Sequence, residues 1–325
     1  MSHPYAIPLA DIEAARERIA GSVIRTPLIR LNVDDAPADI YLKLENLQPI
    51  GSFKLRGAGN AIAMASPEQL KDGVYTASAG NMAQGVAWNA RRLGLPCTVI
   101  VPDHAPETKL AAIRRLGGEI IKVTFDEWWQ IILTHEFPGQ KGYFIHPVSE
   151  PAVMAGNGTI GLEILEDLPD VDAVITPYGG GGLTCGVASA FRALKPDTKL
   201  FAAEVDTAAP LAPSLAAGQP VEVNYTPSFV DGIGGKGILP EIWPRVSNLL
   251  DGSLVVSLEQ IAAALRLMLE RNRVLAEGAG AAPVAAALAG LAGGGKVVCV
   301  VSGGNIDVAK LVKILAPDPP GDPRQ

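Results

Sequence analysis

One lysine, Lys54, stands between a predicted turn and a predicted helix. Pro49 and Gly51 are typical of a turn, and the Ala- and Gly-rich residues 58–65 are typical of a helix. At the first turn of a helix the positive end of the dipole disfavours an ammonium charge, and burial in an apolar pocket lowers the pKa of an amine further. A neutral amine is nucleophilic, so Lys54 suits Schiff-base chemistry with an aldehyde cofactor. A single lysine at a helix start is more often simply solvated, and the hypothesis therefore depends on three further stretches.

The first of these stretches is a run of four glycines between a predicted strand, 173–176, and a predicted helix, 183–194. Backbone N–H groups without side chains at a helix start form a site for an anion such as phosphate. The run is not a dinucleotide fingerprint, because Thr184 or Cys185 occupies the place of the third glycine. No Gly-Lys-Ser/Thr follows, so it is not a P-loop either. Simple turn chemistry is the alternative, but the position between strand and helix favours phosphate.

The second stretch lies between a predicted strand, 74–77, and a predicted helix, 82–93. Its N–H groups, together with the side chains of Ser78 and Asn81, have the chemistry to hold a carboxylate. In isolation, an ordinary helix cap would be the better interpretation of this loop. It consists of Ser78, Ala79, Gly80 and Asn81.

The third stretch, Ser302, Gly303, Gly304 and Asn305, follows the last predicted strand, 296–301. Taken alone, Ser302 would be a turn residue. Ligands of open parallel sheets gather at the carboxyl ends of the strands. All three loops lie at such ends, so we expect them to converge on one crevice with Lys54.

A strand-then-helix rhythm runs along most of the chain. Strands at 74–77, 97–101 and 119–123, each followed by a helix, predict a small domain. Apolar strands without alternation predict parallel sheets that helices cover on both faces. We therefore expect an α/β protein with two open, mostly parallel twisted sheets. The domains would be a large cofactor-binding domain of residues 1–65 plus 144–325 and a small mobile substrate-side domain of residues 66–143. The Pro-rich tail, 316–325, is expected to lack regular structure.

Composition excludes several classes of function. The 325 residues carry a net charge of -7 without any Lys/Arg block, which argues against nucleic acid or an anionic membrane as a partner. The longest apolar runs, such as 279–292, are too short to cross a bilayer. No secretory signal is apparent at residues 1–10, so we expect a cytoplasmic protein. The cysteines show no metal or disulfide spacing and are expected to be buried and reduced: Cys97, Cys185 and Cys299.

Taken together, the stretches 52–58, 78–81, 179–182 and 302–305 resemble the threonine/serine dehydratase and serine racemase family. That family has the tryptophan-synthase-β-like fold, which is fold type II of the pyridoxal-phosphate enzymes. The resemblance extends from about residue 10 to residue 315 with the motifs in order. It implies a homodimer, because the family is commonly dimeric.

The resemblance also implies a role for each motif. Lys54 would carry pyridoxal 5'-phosphate as a Schiff base, with Phe53 beside the cofactor ring. Ser302 would face the pyridine nitrogen, and Asn81 would hydrogen-bond the ring hydroxyl. The cofactor phosphate would bind the loop of Gly179, Gly180, Gly181, Gly182 and Leu183. The substrate carboxylate would bind the loop of Ser78, Ala79, Gly80 and Asn81.

The implied reaction is loss of water from a β-hydroxy amino acid, by default L-threonine or L-serine. A hydroxyl such as that of Ser302 cannot keep the pyridine nitrogen protonated, which makes the ring a weaker electron sink and favours β-elimination. The Lys54 amine would take the Cα proton, the β-hydroxyl would leave as water, and hydrolysis would give a 2-oxo acid and ammonia.

Three positions depart from the family pattern, and a pair of tryptophans is also unusual. Racemases have a second serine where Ala79 stands, so racemisation would lack its second proton donor. Dehydratases usually have His where Met82 stands. The family's cation site would use Glu204 and the carbonyl of Ala208, but its usual aspartate corresponds to Pro210, which disfavours a metal there without excluding one. Trp128 and Trp129 are either packing residues or the wall of a pocket for a larger substrate.

The alternatives differ in kind. Within the class they are a racemase, which Ala79 disfavours, and a dehydratase of a bulkier or ectoine-derived hydroxy amino acid, which Met82 and the tryptophans suggest. A cofactor-free binding protein with this fold is disfavoured by the intact Lys54. A nicotinamide dehydrogenase is disfavoured by the failed fingerprint.

Overall fold

The larger of two sheets is mostly parallel and has six strands. The computed structural model describes residues 3–316, so the tail beyond residue 316 lies outside the described residues. The strand order is β1-β2-β10-β7-β8-β9, and only β1 and β2 pair in antiparallel fashion. The strands are β1 (Leu28–Arg30), β2 (Asp39–Lys43), β7 (Ala173–Pro177), β8 (Lys199–Val205), β9 (Gly252–Val256) and β10 (Lys296–Val300).

The smaller sheet has four strands, all parallel, in the order β5-β4-β3-β6. Its strands are β3 (Val74–Ala77), β4 (Cys97–Pro102), β5 (Glu119–Val123) and β6 (Tyr143–Phe144). The first three were expected from the sequence, and β6 was not. The predicted boundary between the small and the large domain falls between residues 143 and 144, inside β6. The division into two domains therefore stays a prediction.

Helices connect the strands and cover both sheets. They are α1 (Leu9–Ile19), α2 (Lys54–Met64), α3 (Pro67–Leu70), α4 (Asn81–Leu93), α5 (Glu107–Arg115), α6 (Phe125–Thr134), α7 (Pro151–Asp167), α8 (Gly182–Leu194), α9 (Leu211–Ala217), α10 (Trp243–Leu249), α11 (Leu258–Leu267), α12 (Gly278–Leu288) and α13 (Val308–Leu315). After Leu267, α11 continues as a π-helical turn, Met268–Asn272. None of the helices within residues 3–316 is long and apolar enough to cross a membrane.

Helix α7 is the buried neighbour of α2, the helix that begins at Lys54. Glycines allow the two backbones to approach closely: a Cβ on Gly156 would lie 2.5 Å from the carbonyl oxygen of Arg56. On the other side of α7, a Cβ on Gly186 of α8 would clash with the carbonyl oxygen of Met154. Such contacts exclude larger side chains and fix α2 against the rest of the core.

A buried group of charges lies behind the first turn of α2. The Arg56 guanidinium donates from Nε to Glu45 Oε2 at 2.8 Å and from Nη1 to Glu163 Oε1 at 2.7 Å. Lys43 on β2 pairs with the other oxygen of Glu163. Because an unpaired buried charge is costly, these pairs restrict α2 to one position relative to β2 and α7. The three cysteines are free and buried, as expected from the sequence.

Candidate active site

A cavity of about 440 Å³ opens where the carboxyl ends of the two sheets meet. Loops after β3, β4, β7 and β10 form its wall, as expected for ligand sites of parallel sheets. Every residue that the sequence assigned to the cofactor or the substrate lines this one cavity. These residues are Phe53, Lys54, Ser78, Ala79, Gly80, Asn81, Gly179, Gly180, Gly181, Gly182, Leu183 and Ser302.

Lys54 is the first residue of α2, four residues earlier than the predicted helical run begins. Its Nζ donates a hydrogen bond to the carbonyl oxygen of Pro147 at 2.7 Å and lies 5.2 Å from the centroid of the Phe53 ring. Burial lowers the pKa of Lys54 to about 8. The amine is therefore nearer to its neutral, nucleophilic form than a solvated lysine would be.

The loop that carries Pro147 is held by a buried histidine, His146. Its Nδ1 accepts hydrogen bonds from the backbone N–H of Ser149 at 2.8 Å and of Val148 at 3.2 Å. Its Nε2 lies 3.1 Å from the carbonyl oxygen of Ile132, to which it donates. Burial, assisted by the nearby His135, lowers the pKa of His146 to about 4. A neutral His146 therefore fixes the acceptor of the Lys54 amine, and no pattern in the sequence had indicated this role.

The glycine loop leaves no room for side chains. Gly181 has a φ of +93°, which glycine adopts readily, and α8 begins at the next residue. A Cβ on Gly180 would lie 2.5 Å from the Val148 side chain, and one on Gly182 would lie 2.5 Å from the Val148 carbonyl oxygen. The loop therefore presents bare backbone to the cavity at a helix N-terminus, which fits a phosphate group.

Ser302 lies at the carboxyl end of β10, next to the turn before Lys54. Its backbone carbonyl accepts from the N–H of Phe53 at 2.9 Å, and Ser52 forms an isolated bridge with Gly303. The Ser302 side chain is buried, and its residue lines the cavity. The position fits a neutral hydrogen-bonding partner for a ring nitrogen.

Asn81 contacts a carboxyl group that the sequence analysis had missed. Its Nδ2 donates to Oε1 of Glu277 at 2.8 Å, and Glu277 also lines the cavity. Burial, together with the negative charge of Asp231, raises the pKa of Glu277 to about 7. The one feature of the sequence that could have indicated Glu277 is its position as a single acidic residue directly before the Ala- and Gly-rich helix α12, 278–288.

The substrate side of the cavity has an apolar wall. Met82 follows the predicted carboxylate loop and is 2% exposed. Trp128 on α6 lines the cavity, whereas Trp129 does not and is 41% exposed. In the carboxylate loop itself, Ser78 Oγ accepts from the N–H of Gly80 at 3.2 Å, and Ala79 offers no second hydroxyl.

Glu204 does not line the cavity, and its carboxylate is already occupied. Oε1 accepts from the N–H of Leu211 at 2.8 Å, and Oε2 accepts from the N–H of Ala212 at 2.8 Å and from Ser253 Oγ at 2.6 Å. Within residues 3–316, no group of three or more His, Cys, Asp or Glu is arranged to hold a metal ion. The carboxylate thus caps the start of α9, and this donor set does not fit a divalent cation.

Pyridoxal phosphate fits the residues that surround the cavity. A buried lysine amine with a lowered pKa, a glycine cradle that a Cβ would fill and a serine hydroxyl at the carboxyl end of β10 are the three groups that such a cofactor needs.

Comparison with known proteins also indicates a pyridoxal-phosphate enzyme. A family model described as pyridoxal-phosphate dependent enzyme matches residues 19–303. An L-threonine ammonia-lyase of Thermotoga maritima is 43% identical over 315 residues, which is 95% of this chain and 78% of that protein. A catabolic L-threonine dehydratase of Staphylococcus aureus is 37% identical over 322 residues, which is 96% of this chain and 92% of that protein.

Solved structures of related enzymes superpose over nearly the whole chain. Maize serine racemase is 34% identical with a TM-score of 0.86, covering 95% of this chain and 97% of the racemase. The processed form of threonine deaminase isoform 2 from Solanum lycopersicum is 33% identical with a TM-score of 0.83, covering 96% of this chain and 95% of the deaminase. These matches confirm the predicted fold class, cofactor and dehydratase class of enzyme. The chain belongs to the pyridoxal-phosphate-dependent enzymes of fold type II, in the threonine/serine dehydratase and serine racemase family.

Proposed function

We propose that the protein is a threonine ammonia-lyase, which converts L-threonine, and L-serine as a second substrate, to a 2-oxo acid and ammonia. The observation that carries this proposal is the buried Lys54 amine in the same cavity as the glycine cradle and Ser302. Relatives that are 42% and 43% identical over 95% of the chain and carry the name L-threonine ammonia-lyase support the choice of substrate.

In this proposal, one group of residues around the cavity binds the cofactor and another group binds the substrate. Lys54 would hold the cofactor, Phe53 would pack beside the ring, and Asn81 and Ser302 would bind the ring oxygen and the ring nitrogen. The loop 179–183, which includes Leu183, would hold the cofactor phosphate. When bound, pyridoxal phosphate supplies the electron sink that makes the Cα proton of the substrate acidic.

The chain itself handles the proton and the substrate carboxylate. The loop 78–81 binds the carboxylate through its N–H groups and the Ser78 hydroxyl. Lys54 Nζ takes the proton from Cα and passes it to the departing β-hydroxyl, which leaves as water, and a second water releases ammonia from the product. Ala79 has no hydroxyl to return a proton to the opposite face of Cα, which supports a lyase over a racemase.

The test is an absorption spectrum of the purified protein followed by assay of 2-oxo acid formation. We expect a visible Schiff-base band and production of 2-oxobutanoate from L-threonine, and we expect Lys54→Ala to lose both. Lys71→Ala is the matched control, because Lys71 is exposed and, among residues 3–316, forms an ion pair with Glu68 alone. Absence of the band after addition of pyridoxal phosphate would contradict the proposal.

The apolar wall of the cavity supports a second candidate, a dehydratase of bulkier β-hydroxy amino acids such as 3-phenylserine. Met82 is buried, and Trp128 and Phe125 line the cavity with their ring centroids 5.8 Å apart. An aromatic substituent that stacks on Trp128 would gain roughly 0.5–1.5 kcal/mol.

A comparison of kcat/KM for 3-phenylserine and L-threonine separates the two candidates. If the bulkier class is correct, Trp128→Ala lowers kcat/KM for 3-phenylserine by about three- to tenfold more than for threonine. Trp129→Ala is the control, because Trp129 does not line the cavity. A ratio that favours threonine in the wild type and does not change in Trp128→Ala rules out the second candidate.

We also propose that the enzyme is a cytoplasmic homodimer whose residues 66–143 move as a unit on binding substrate. The net charge of -7 supports small-molecule rather than nucleic-acid partners. Light scattering after size exclusion tests the dimer, and a mass corresponding to a single 33.9 kDa chain would contradict it.

A further inference from the structure

A chain of hydrogen bonds joins Asn81 to two residues that have no role in the proposed reaction. Asn305 Nδ2 donates to the carbonyl oxygen of Ile50 at 2.8 Å and to Oδ1 of Asn81 at 2.8 Å. Asn81 Nδ2 in turn donates to Glu277 Oε1 at 2.8 Å. We call these groups the amide relay: the Ile50 carbonyl, Asn305, Asn81 and Glu277.

The hydrogen-bonding groups at the two ends of the amide relay allow only one orientation of the side-chain amides of Asn305 and Asn81. A backbone carbonyl only accepts hydrogen bonds, so the side of Asn305 that faces Ile50 must be its NH2 group. The same NH2 group then requires an acceptor on Asn81, which is the amide oxygen. The nitrogen of Asn81 consequently faces Glu277, where a carboxylate oxygen accepts from it.

Glycines in two motifs make room for the relay. A Cβ on Gly51 would lie 2.7 Å from Asn305 Oδ1, and Gly51 has a φ of +73°, which disfavours other residues. A Cβ on Gly303 would lie 2.7 Å from Glu277 Oε1, and the N–H of Glu277 donates to the Gly303 carbonyl at 2.9 Å. The loops before Lys54 and after β10 are thus shaped around these two side chains.

We propose that Asn305 and Glu277 are positioning residues that hold the Asn81 amide with its NH2 group available to the ring oxygen of the cofactor. The inference rests on the proposed role of Asn81. Among residues 3–316, only Glu277 accepts a hydrogen bond from Asn81 Nδ2, which leaves the second N–H of this group for a ligand. An inverted amide would present an oxygen there instead and would repel a ring oxygen.

The test replaces a donor by an acceptor of the same size in Asn305→Asp. The carboxylate repels Asn81 Oδ1, so the Asn81 amide turns over and its hydrogen bond to the cofactor is lost. We expect the Kd for pyridoxal phosphate to rise about tenfold and the visible band to shift, as for loss of one hydrogen bond to a charged or polar group. Both are read from titration of the apoenzyme, independently of turnover.

Asn46→Asp is the matched control for this variant. Asn46 Nδ2 also donates to a backbone carbonyl, that of Leu275 at 2.9 Å, but Asn46 does not line the cavity. A Kd within twofold of the wild type and an unchanged band in Asn305→Asp would overturn the proposal. So would the same loss of affinity in Asn46→Asp.

The other end of the relay gives an independent test if Asn305→Asp does not fold. Glu277→Gln keeps an oxygen acceptor for Asn81 Nδ2, whereas Glu277→Leu removes it. We expect Glu277→Leu to weaken cofactor binding about tenfold relative to Glu277→Gln, and equal affinities would overturn the proposal. If the wild type binds the cofactor but does not convert threonine, the proposed substrate fails while the relay is still tested.

Discussion

Lys54 and Glu277 both line the cavity, and desolvation shifts the pKa of each towards the neutral form. It lowers the pKa of Lys54 to about 8 and raises the pKa of Glu277 to about 7. Desolvation disfavours the charged form of either group, which explains why an amine and a carboxyl move in opposite directions. The shifted amine suits a group that must attack a carbonyl and accept a proton. The raised pKa of the Glu277 carboxyl lowers the free energy of unfolding as the pH rises, and this loss can be measured without any cofactor.

Glu277→Gln should stabilise the apoenzyme in a pH-dependent way. The unfolded carboxyl releases its proton near pH 4.5, whereas the folded one holds it up to about pH 7. The folded state therefore binds more protons between these values, and its stability falls as the pH rises through them. Glutamine avoids this loss while it keeps the hydrogen-bond acceptor. Urea unfolding should show a gain of about 2–3 kcal/mol at pH 8 and a much smaller gain at pH 5. An equal gain at both pH values would contradict the assignment.

Which site residues the sequence revealed depends on where they lie along the chain. The loops 78–81, 179–182 and 302–305 each follow a predicted strand, so a rule about strand ends was enough to bring them together. Glu277 acts through Asn81, which is far away in sequence, whereas His146 acts through the backbone of its own loop and the carbonyl of Ile132. No local pattern distinguishes a histidine that fixes a loop from one that merely packs, and the three-dimensional contacts alone reveal these roles.

At the scale of elements, the β7–α8 connection depends on glycine for space rather than only for flexibility. Gly180→Ala would place a Cβ 2.5 Å from the Val148 side chain and would push the loop away from the cavity. We expect it to raise the Kd for pyridoxal phosphate by at least tenfold, because the backbone N–H groups no longer converge on the phosphate. Gly21→Ala is the control, since nothing lies within 4 Å of its Cβ. Equal affinities of the two variants would exclude the phosphate cradle.

Helix α7 shows why part of the fold was not predictable from the pattern of apolar residues. It runs from Pro151 to Asp167, contains three glycines and is buried along almost its whole length. A helix that is buried on all sides has no amphipathic period, and glycine disfavours a helix in isolation. Tertiary packing against α2 and α8 overrides both signals. By contrast, the strands followed by amphipathic helices at 74–93 and 97–115 were recognisable.

The short helix α9 begins at an internal carboxylate. Because Glu204 accepts from two backbone N–H groups and from Ser253, Glu204→Ala would leave one buried and two partly buried donors without acceptors. We expect a loss of about 2–4 kcal/mol in the free energy of unfolding. Mg²⁺ and EDTA should not change the unfolding midpoint of the wild type, and stabilisation by Mg²⁺ alone would show that the carboxylate binds a cation instead.

At the scale of the whole molecule, an ion pair crosses the cavity from a helix beside the smaller sheet to a loop of the part of the chain that forms the larger sheet. Lys109 on α5 lies 3.1 Å from Asp231, which belongs to the connection between α9 and α10. Lys310 on α13 contacts the same carboxylate oxygen at 3.0 Å. Only the first pair connects the two sheets across the cavity, and both of its residues line it. We therefore expect Lys109 to favour the closed arrangement that excludes water during turnover.

Lys109→Met should raise KM for the amino-acid substrate by about two- to fivefold, because a partly exposed ion pair contributes roughly 0.2–1 kcal/mol to the closed state. The effect should shrink at high salt, where the wild type loses the same interaction by screening. Lys310→Met removes an equivalent charge from Asp231 without crossing the cavity, so its KM should stay at the wild-type value. Steady-state kinetics at low and high ionic strength measure both variants. If they raise KM equally, the charge balance at Asp231 matters rather than the bridge between the sheets.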